Sequence, residues 1–100
     1  VFGIFQPHTY SRTAVFFEEF KNALKMLDGY AVYKTFAARE KPSDGIDAKA
    51  LAEAIGGEYF DSERKVYNFF DEQKVLKEYD KILILGAGNL DEVVRRYFQS

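Results

Sequence analysis

Apolar and polar positions alternate between two periods along this chain, and each change of period marks a change of element. Val1 to Phe5 is a continuous apolar run of the kind expected for a strand covered on both faces. It empties into Gln6-Pro7-His8-Thr9-Tyr10-Ser11-Arg12-Thr13. From Thr13 to Leu27 the apolar residues Phe16, Phe17, Phe20, Ala23, Leu24 and Leu27 fall at helical spacing, opposite Glu18, Glu19, Lys21, Asn22 and Lys25. Ser11 or Thr13 is the expected cap of that helix, and Asp28-Gly29 its stop. Tyr30 to Lys34 predicts a second strand, and Phe36 to Gly45 a long loop containing Pro42. Asp47 then caps a helix with Ala48, Leu51, Ala52 and Ile55 on one face, ended by Gly56-Gly57. Glu58 to Phe60 predicts a short strand, and Ser62 to Phe70 a helix with Val66, Phe69 and Phe70 inward, followed by a charged connection. Lys81 to Leu85 is the strongest strand signal. It passes through Gly86-Ala87-Gly88-Asn89 into a helix with Leu90, Val93, Val94, Tyr97 and Phe98 on its apolar face.

A strand, a loop and a helix repeated in this order predict right-handed crossovers and a parallel sheet. The expected fold is α/β and loosely Rossmann-like, a mostly parallel sheet of about four strands with helices on both faces. In that geometry the segments Gln6 to Arg12, Thr35 to Gly45, Asp61 to Arg64 and Gly86 to Asn89 leave the sheet along one edge, where open parallel sheets bind ligands.

Composition narrows the classes of partner. With 100 residues the chain makes one domain, able to bury about 60 to 65% of its unfolded surface. Ten Phe and seven Tyr predict an aromatic core. A net charge of −2, with both signs interspersed, gives no electrostatic reason to expect nucleic acid or an anionic membrane. No apolar stretch approaches the roughly 20 residues of a membrane helix, and the N-terminal residues show no basic segment leading into an apolar run and a cleavage site. The expectation is a soluble, cytoplasmic protein. Absence of cysteine removes disulfides, thiolate catalysis and cysteine-ligated zinc.

The candidate chemistry sits at the strand ends. His8, the only histidine, suits either a neutral loop imidazole bonded to backbone or a ligand contact. Arg12 stands in a first helical turn, where the helix dipole disfavours a cation, so it calls for an anionic partner or for solvent. Tyr10 suits packing, with its hydroxyl still available. Gly86-Ala87-Gly88 invites comparison with a dinucleotide loop, but the third glycine position is Asp91, whose charge repels phosphate, which excludes the usual NAD site. Those glycines suit a tight strand-to-helix turn, and Arg39-Glu40-Lys41 a solvated loop. No phosphate loop, metalloprotease helix, nucleophile elbow or paired-carboxylate metal motif is present, so neither catalytic nor metal-ligating residues are expected.

Phe5-Gln6-Pro7-His8-Thr9-Tyr10-Ser11-Arg12-Thr13, Ala37-Ala38-Arg39-Glu40-Lys41-Pro42 and Leu85-Gly86-Ala87-Gly88, in this order, resemble the C-terminal domain of the Mur ligases, above all the branch that joins L-alanine to UDP-N-acetylmuramate. The likeness spans nearly the whole chain. It implies a three-domain enzyme in which a sugar-nucleotide domain and a central domain holding ATP and magnesium precede this one. It further implies a role in peptidoglycan synthesis, and with it in cell-wall biogenesis, cell shape and cell division. By the resemblance, His8 and Arg12 line the site of the incoming L-alanine, Tyr10 and Thr9 neighbour it, and Gly86, Ala87 and Gly88 belong to a nucleotide-proximal closing loop. Thr9 stands where many relatives carry Arg, and Lys34-Thr35-Phe36 where the family has an Asp-x-Tyr-like strand end. A preceding strand-helix unit with an Asp-Tyr and paired-His motif is expected in the family and is not in this sequence, which therefore reads as a truncated domain. No activity and no cofactor of its own are expected of this domain alone. A stand-alone flavodoxin-like module for small molecules or phosphate, or a purely structural domain, fits the same strand-end loops.

Overall fold

A computed structural model describes residues 1–72, 75–86 and 88–99. Four strands form one parallel sheet: β1 (Phe2–Gln6), β2 (Gly29–Tyr33), β3 (Glu58–Phe60) and β4 (Ile82–Gly86), in the spatial order β3-β2-β1-β4. Phe2 to Phe5 pair with Gly29 to Val32 on one side of β1, and Phe2 to Gln6 pair with Ile82 to Gly86 on the other. The Rossmann-like α/β expectation holds.

Alternation along the strands divides the core between two faces. Phe2 and Ile4, with Ala31, Tyr33 and Phe60, pack under Val66 and Phe70 of α4 (Glu63–Glu72) and Leu90, Val93 and Val94 of α6 (Leu90–Gln99). On the opposite face Val32 meets Leu24 of α2 (Phe17–Lys25) and Ala48, Leu51, Ala52 and Ile55 of α3 (Ala48–Ile55), with Phe5, Phe20, Leu27 and Leu85 packed alongside. The steps β1→β2→β3 run in one direction and place their helices on that second face. The step from β3 to β4 reverses direction, so its helix lies on the first face. Reversal puts a topological switch point between β1 and β4, with the loops after these two strands leading to opposite faces.

Several boundaries differ from those the pattern predicts. The helix expected over 13–27 is two helices, α1 (Tyr10–Val15) and α2, separated at Phe16, whose backbone (φ −105°, ψ 22°) leaves the helical region. The break shifts the helical phase and leaves Phe16 44% exposed. Neither Ser11 nor Thr13 is the cap of α1. Thr9 is, its hydroxyl accepting the Arg12 amide at 3.3 Å, while Ser11 is engaged by Glu40 and Thr13 donates back to the Thr9 carbonyl. Asp47 occupies the cap position of α3, but the hydroxyl that accepts the Ala48 amide belongs to Thr35, at 2.9 Å. The loop 36–45 contains a 3-10 turn at Pro42–Asp44, and the charged connection contains α5 (Val75–Glu78). Phe98, expected inward, is 55% exposed. Among the described residues no helix is long and apolar enough to cross a membrane.

One polar side chain ties the strand ends together. Gln6 shares the inward parity of Phe2 and Ile4 and is 1% exposed. Its Nε2 donates to the Lys34 carbonyl and to Asn89 Oδ1, both at 3.1 Å, and its Oε1 accepts the Leu90 amide at 3.0 Å. Thus one amide closes the ends of β1 and β2 and caps α6. The glycines of the β4–α6 turn make room for it. Gly86 (φ 110°) and Gly88 (φ 118°) hold backbone conformations that L side chains avoid. A Cβ at Gly86 would stand 2.2 Å from the Gln6 carbonyl oxygen, and one at Gly88 2.6 Å from Gln6 Oε1. Ala87 lies outside the described residues.

Removing this amide orphans a buried N–H and a buried carbonyl and leaves a void. Gln6→Ala is therefore expected to destabilise the chain by about 3 kcal/mol, lowering the melting temperature by more than about 12 °C. A thermal melt showing a shift of under about 4 °C would place the anchor elsewhere.

Candidate functional site at the β1–β4 switch point

The loop after β1 is held by the segment that follows β2. Parallel pairing between β1 and β2 ends at Phe5 and Val32 and resumes once farther on: the Phe36 amide donates to the Pro7 carbonyl at 2.9 Å and the Thr9 amide to the Phe36 carbonyl at 2.8 Å. This bridge lays the His8 ring on the Phe36 ring, 5.5 Å apart and nearly parallel at 18°. Phe36 in turn abuts the glycine turn, where a Cβ at Gly88 would meet its ring at 2.9 Å. His8, Phe36 and Gly88 therefore form one continuous stack across the switch point.

The structure brings four of the sequence-predicted residues onto a single turn. His8 is half-buried, and its Nδ1 is buried with no hydrogen-bond partner, an uncommon condition for a buried ring nitrogen. Thr9 adopts φ 63°, ψ 154°, a region that β-branched residues avoid at a strain of about 1–3 kcal/mol. Tyr10 is half-buried, its carbonyl accepting the Ile46 amide at 3.0 Å. Arg12 projects from the first turn of α1, exposed, with no ion pair or side-chain hydrogen bond among the described residues. Gly86 and Gly88 are close to Gln6 and Phe36, so their first role is to let those groups approach. The geometry joins an unsatisfied imidazole nitrogen, a free guanidinium and strained backbone at the edge where parallel sheets present ligand loops. Such a set can take a small molecule that carries a carboxylate.

Three contributors escaped the sequence reading. Gln6 carried a usable signal, since it is the polar residue at the inward parity of an apolar strand. Phe36 and Glu40 were marked only by the family resemblance, which runs through both segments and gave neither residue a contact. Glu40 is no solvated loop residue: its Oε1 accepts the Ser11 amide at 2.9 Å and its Oε2 the Ser11 hydroxyl. Those two bonds, the hydroxyl first, hold its carboxyl below the usual glutamate range, with a smaller contribution from His8. On the other side of the sheet Glu63 is lowered chiefly by the Arg96 guanidinium, 2.8 Å away, and by the Tyr67 hydroxyl. Among the described residues no group of His, Asp or Glu offers a metal cage.

Both carboxylates have folded values below their unfolded ones. Their stabilisation is present above the ordinary glutamate pKa, about 4.3, and is lost as the pH falls through the lowered values. The melting temperature is thus expected to drop on acidification below that point. Glu40→Gln with Glu63→Gln should flatten part of the drop in a series of melts, and an unchanged slope would assign it to other groups.

No protein-family model matches the chain. It is similar to UDP-N-acetylmuramate–L-alanine ligases from three organisms among others: Porphyromonas gingivalis, 33% identical over the whole of this chain; Syntrophotalea carbinolica, 37% identical over 93% of it; and Thermobifida fusca, 36% identical over 97% of it. The chain spans about a fifth of the length of these relatives, 21 or 22%. Likeness of this extent to UDP-N-acetylmuramate–L-alanine ligases, on an all-parallel Rossmann-like sheet that brings the His8 turn close to Gly86 and Gly88 at one edge, is consistent with the C-terminal domain of a Mur ligase.

Proposed function

We propose that this domain serves a ligase that joins L-alanine to UDP-N-acetylmuramate in peptidoglycan synthesis, and that its own task is to hold the amino acid. Support comes from the named relatives and from one observation above all: Arg12 offers an exposed guanidinium without a partner among the described residues, on a turn whose backbone is fixed by Thr9, Phe36 and Glu40. The guanidinium fork matches a carboxylate in two parallel bonds. Paired there, the amino acid's carboxylate is fixed and its amine is directed away from α1. His8, half-buried on the same turn, is a second polar side chain beside the zwitterion. Tyr10 and Thr9 border it, and the Gly86–Gly88 turn forms the facing wall.

ATP, when bound elsewhere in the ligase, would supply the phosphoryl group that activates the lactyl carboxylate as an acyl phosphate, leaving ADP, and attack by the amine would then expel phosphate and release a proton. No step of that activation is assigned to this chain. Its contribution is orientation of the nucleophile and exclusion of water when the domains close over the substrates. ATP, UDP-N-acetylmuramate and L-alanine are its ligands within the intact enzyme, which we place in the cytoplasm, where nucleotide-activated precursors are made.

In the intact ligase, Arg12→Ala should raise the KM for L-alanine roughly a hundredfold, the loss expected of a charge-assisted pair, while the KM for ATP stays nearly constant. Equal increases in both would reject the assignment. The isolated chain, incubated with ATP, UDP-N-acetylmuramate and L-alanine, is expected to release no ADP. Steady release from the purified domain would contradict a purely positioning role.

A further inference from the structure

The amino-acid turn is gripped by a second segment at three places. Phe36 bonds Pro7 and Thr9, Ile46 bonds the Tyr10 carbonyl, and midway between them Glu40 bonds Ser11 through both backbone and side chain. The first two contacts are backbone to backbone, so almost any sequence could make them. Glu40 supplies the side-chain hydrogen bonds, beside the ring contact of Phe36 with His8, and its course is built. Ala38 takes a left-handed conformation (φ 56°), the Glu40 amide bonds the Ala37 carbonyl at 3.0 Å, and the 3-10 turn behind it is braced by Lys41 and Asp44, each bonding the other. This geometry turns the Glu40 carboxylate back onto α1.

Helix α1 needs that carboxylate. It has no acidic residue in its first turn, where the backbone N–H groups and the helix dipole are positive, and its one cation, Arg12, stands midway along its six residues. Glu40 provides the missing negative charge from another segment, bonded to the residue immediately before Arg12. Thr9 caps the Arg12 amide from the other side. Ser11 and Arg12 are thereby held by two groups at once, one on each side of the turn.

We propose that Glu40 is a positioning residue for the amino-acid substrate: by clamping Ser11 it sets the orientation of α1 and of the Arg12 guanidinium, without touching the substrate itself. This rests on the reading of Arg12 as the carboxylate partner. The Ser11 bonds that hold the Glu40 carboxyl low keep it charged throughout the neutral range, so the clamp does not open at physiological pH.

The test is steady-state kinetics of the intact ligase with Glu40→Gln, Glu40→Ala, Glu40→Asp and Ser11→Ala, each alone and Glu40→Gln also in an Arg12→Ala background. Glu40→Gln is expected to raise the KM for L-alanine roughly tenfold, the loss of a charge-assisted bond, with kcat and the KM for ATP changed by less than about twofold. Ser11→Ala should have a smaller effect in the same direction, and Glu40→Asp should recover part of what Glu40→Ala loses. In the Arg12→Ala background Glu40→Gln should add almost nothing, because its effect passes through Arg12. A merely destabilising change would lower the active fraction, and so kcat, and leave the alanine KM in place. If Arg12→Ala itself leaves the alanine KM unmoved, the reading of the site fails. If Arg12→Ala raises it and Glu40→Gln does not, or if the two effects simply multiply, the positioning role alone fails.

Discussion

The buried amide of Gln6 is the interaction on which the site edge depends. A parallel sheet leaves its strand ends with unpaired backbone groups, and at the switch point the neighbouring strands β1 and β4 send their chains to opposite faces, so no ladder continues to join them. Gln6 bridges this gap with one donor group shared by the Lys34 carbonyl and Asn89 and one acceptor for the first amide of α6. Its position at the strand end follows from parity. Two residues on from Ile4 it faces the same interior, and its amide, with donor and acceptor on one planar group, suits both a carbonyl and a helix N-terminus at once.

From that anchor the rest of the edge follows. The β4–α6 turn must pass close over Gln6, which demands residues without Cβ at Gly86 and Gly88. Space left beside Gly88 is filled by the Phe36 ring, and Phe36 is the platform for His8. The glycine turn that resembles a nucleotide loop is thus accounted for locally by a close approach of protein to protein. Its phosphate-binding look is a by-product of the same lack of Cβ that phosphate loops use.

The polar side of the edge is organised by charge placed from outside the helix it serves. A short α1 with a cation in its first turn and strained backbone at its cap would be poorly defined alone, since helices of this length gain their order from tertiary contacts. Segment 36–46 supplies those contacts. The departures from local preference, Thr9 and Ala38 at positive φ, cluster on the two segments that meet there. Strain of this kind persists only where surrounding bonds over-determine it, and it concentrates where geometry matters to a ligand.

The sequence by itself determined the fold class, the parallel direction of the sheet and the edge at which its loops gather, because each rests on local periodicity: strands β1 and β4 as unbroken apolar runs, α3, α4 and α6 as helical stripes, and turns marked by Gly and Pro. It also displayed the likeness to the Mur ligases, carried by the residues around His8 and Arg12. What only the tertiary structure decided were partnerships between residues far apart in the chain. Gln6 meets Leu90, Thr35 caps the helix beginning at Ala48, Phe36 reaches His8, and Glu40 reaches Ser11. Thr9 rather than Ser11 or Thr13 caps α1 for the same reason: once Glu40 claims the Ser11 hydroxyl and Thr13 is buried beneath the helix, the free side-chain acceptor at the turn is Thr9. Periodicity reports which face of an element is apolar, whereas a hydrogen bond between two loops depends on where the whole sheet delivers them.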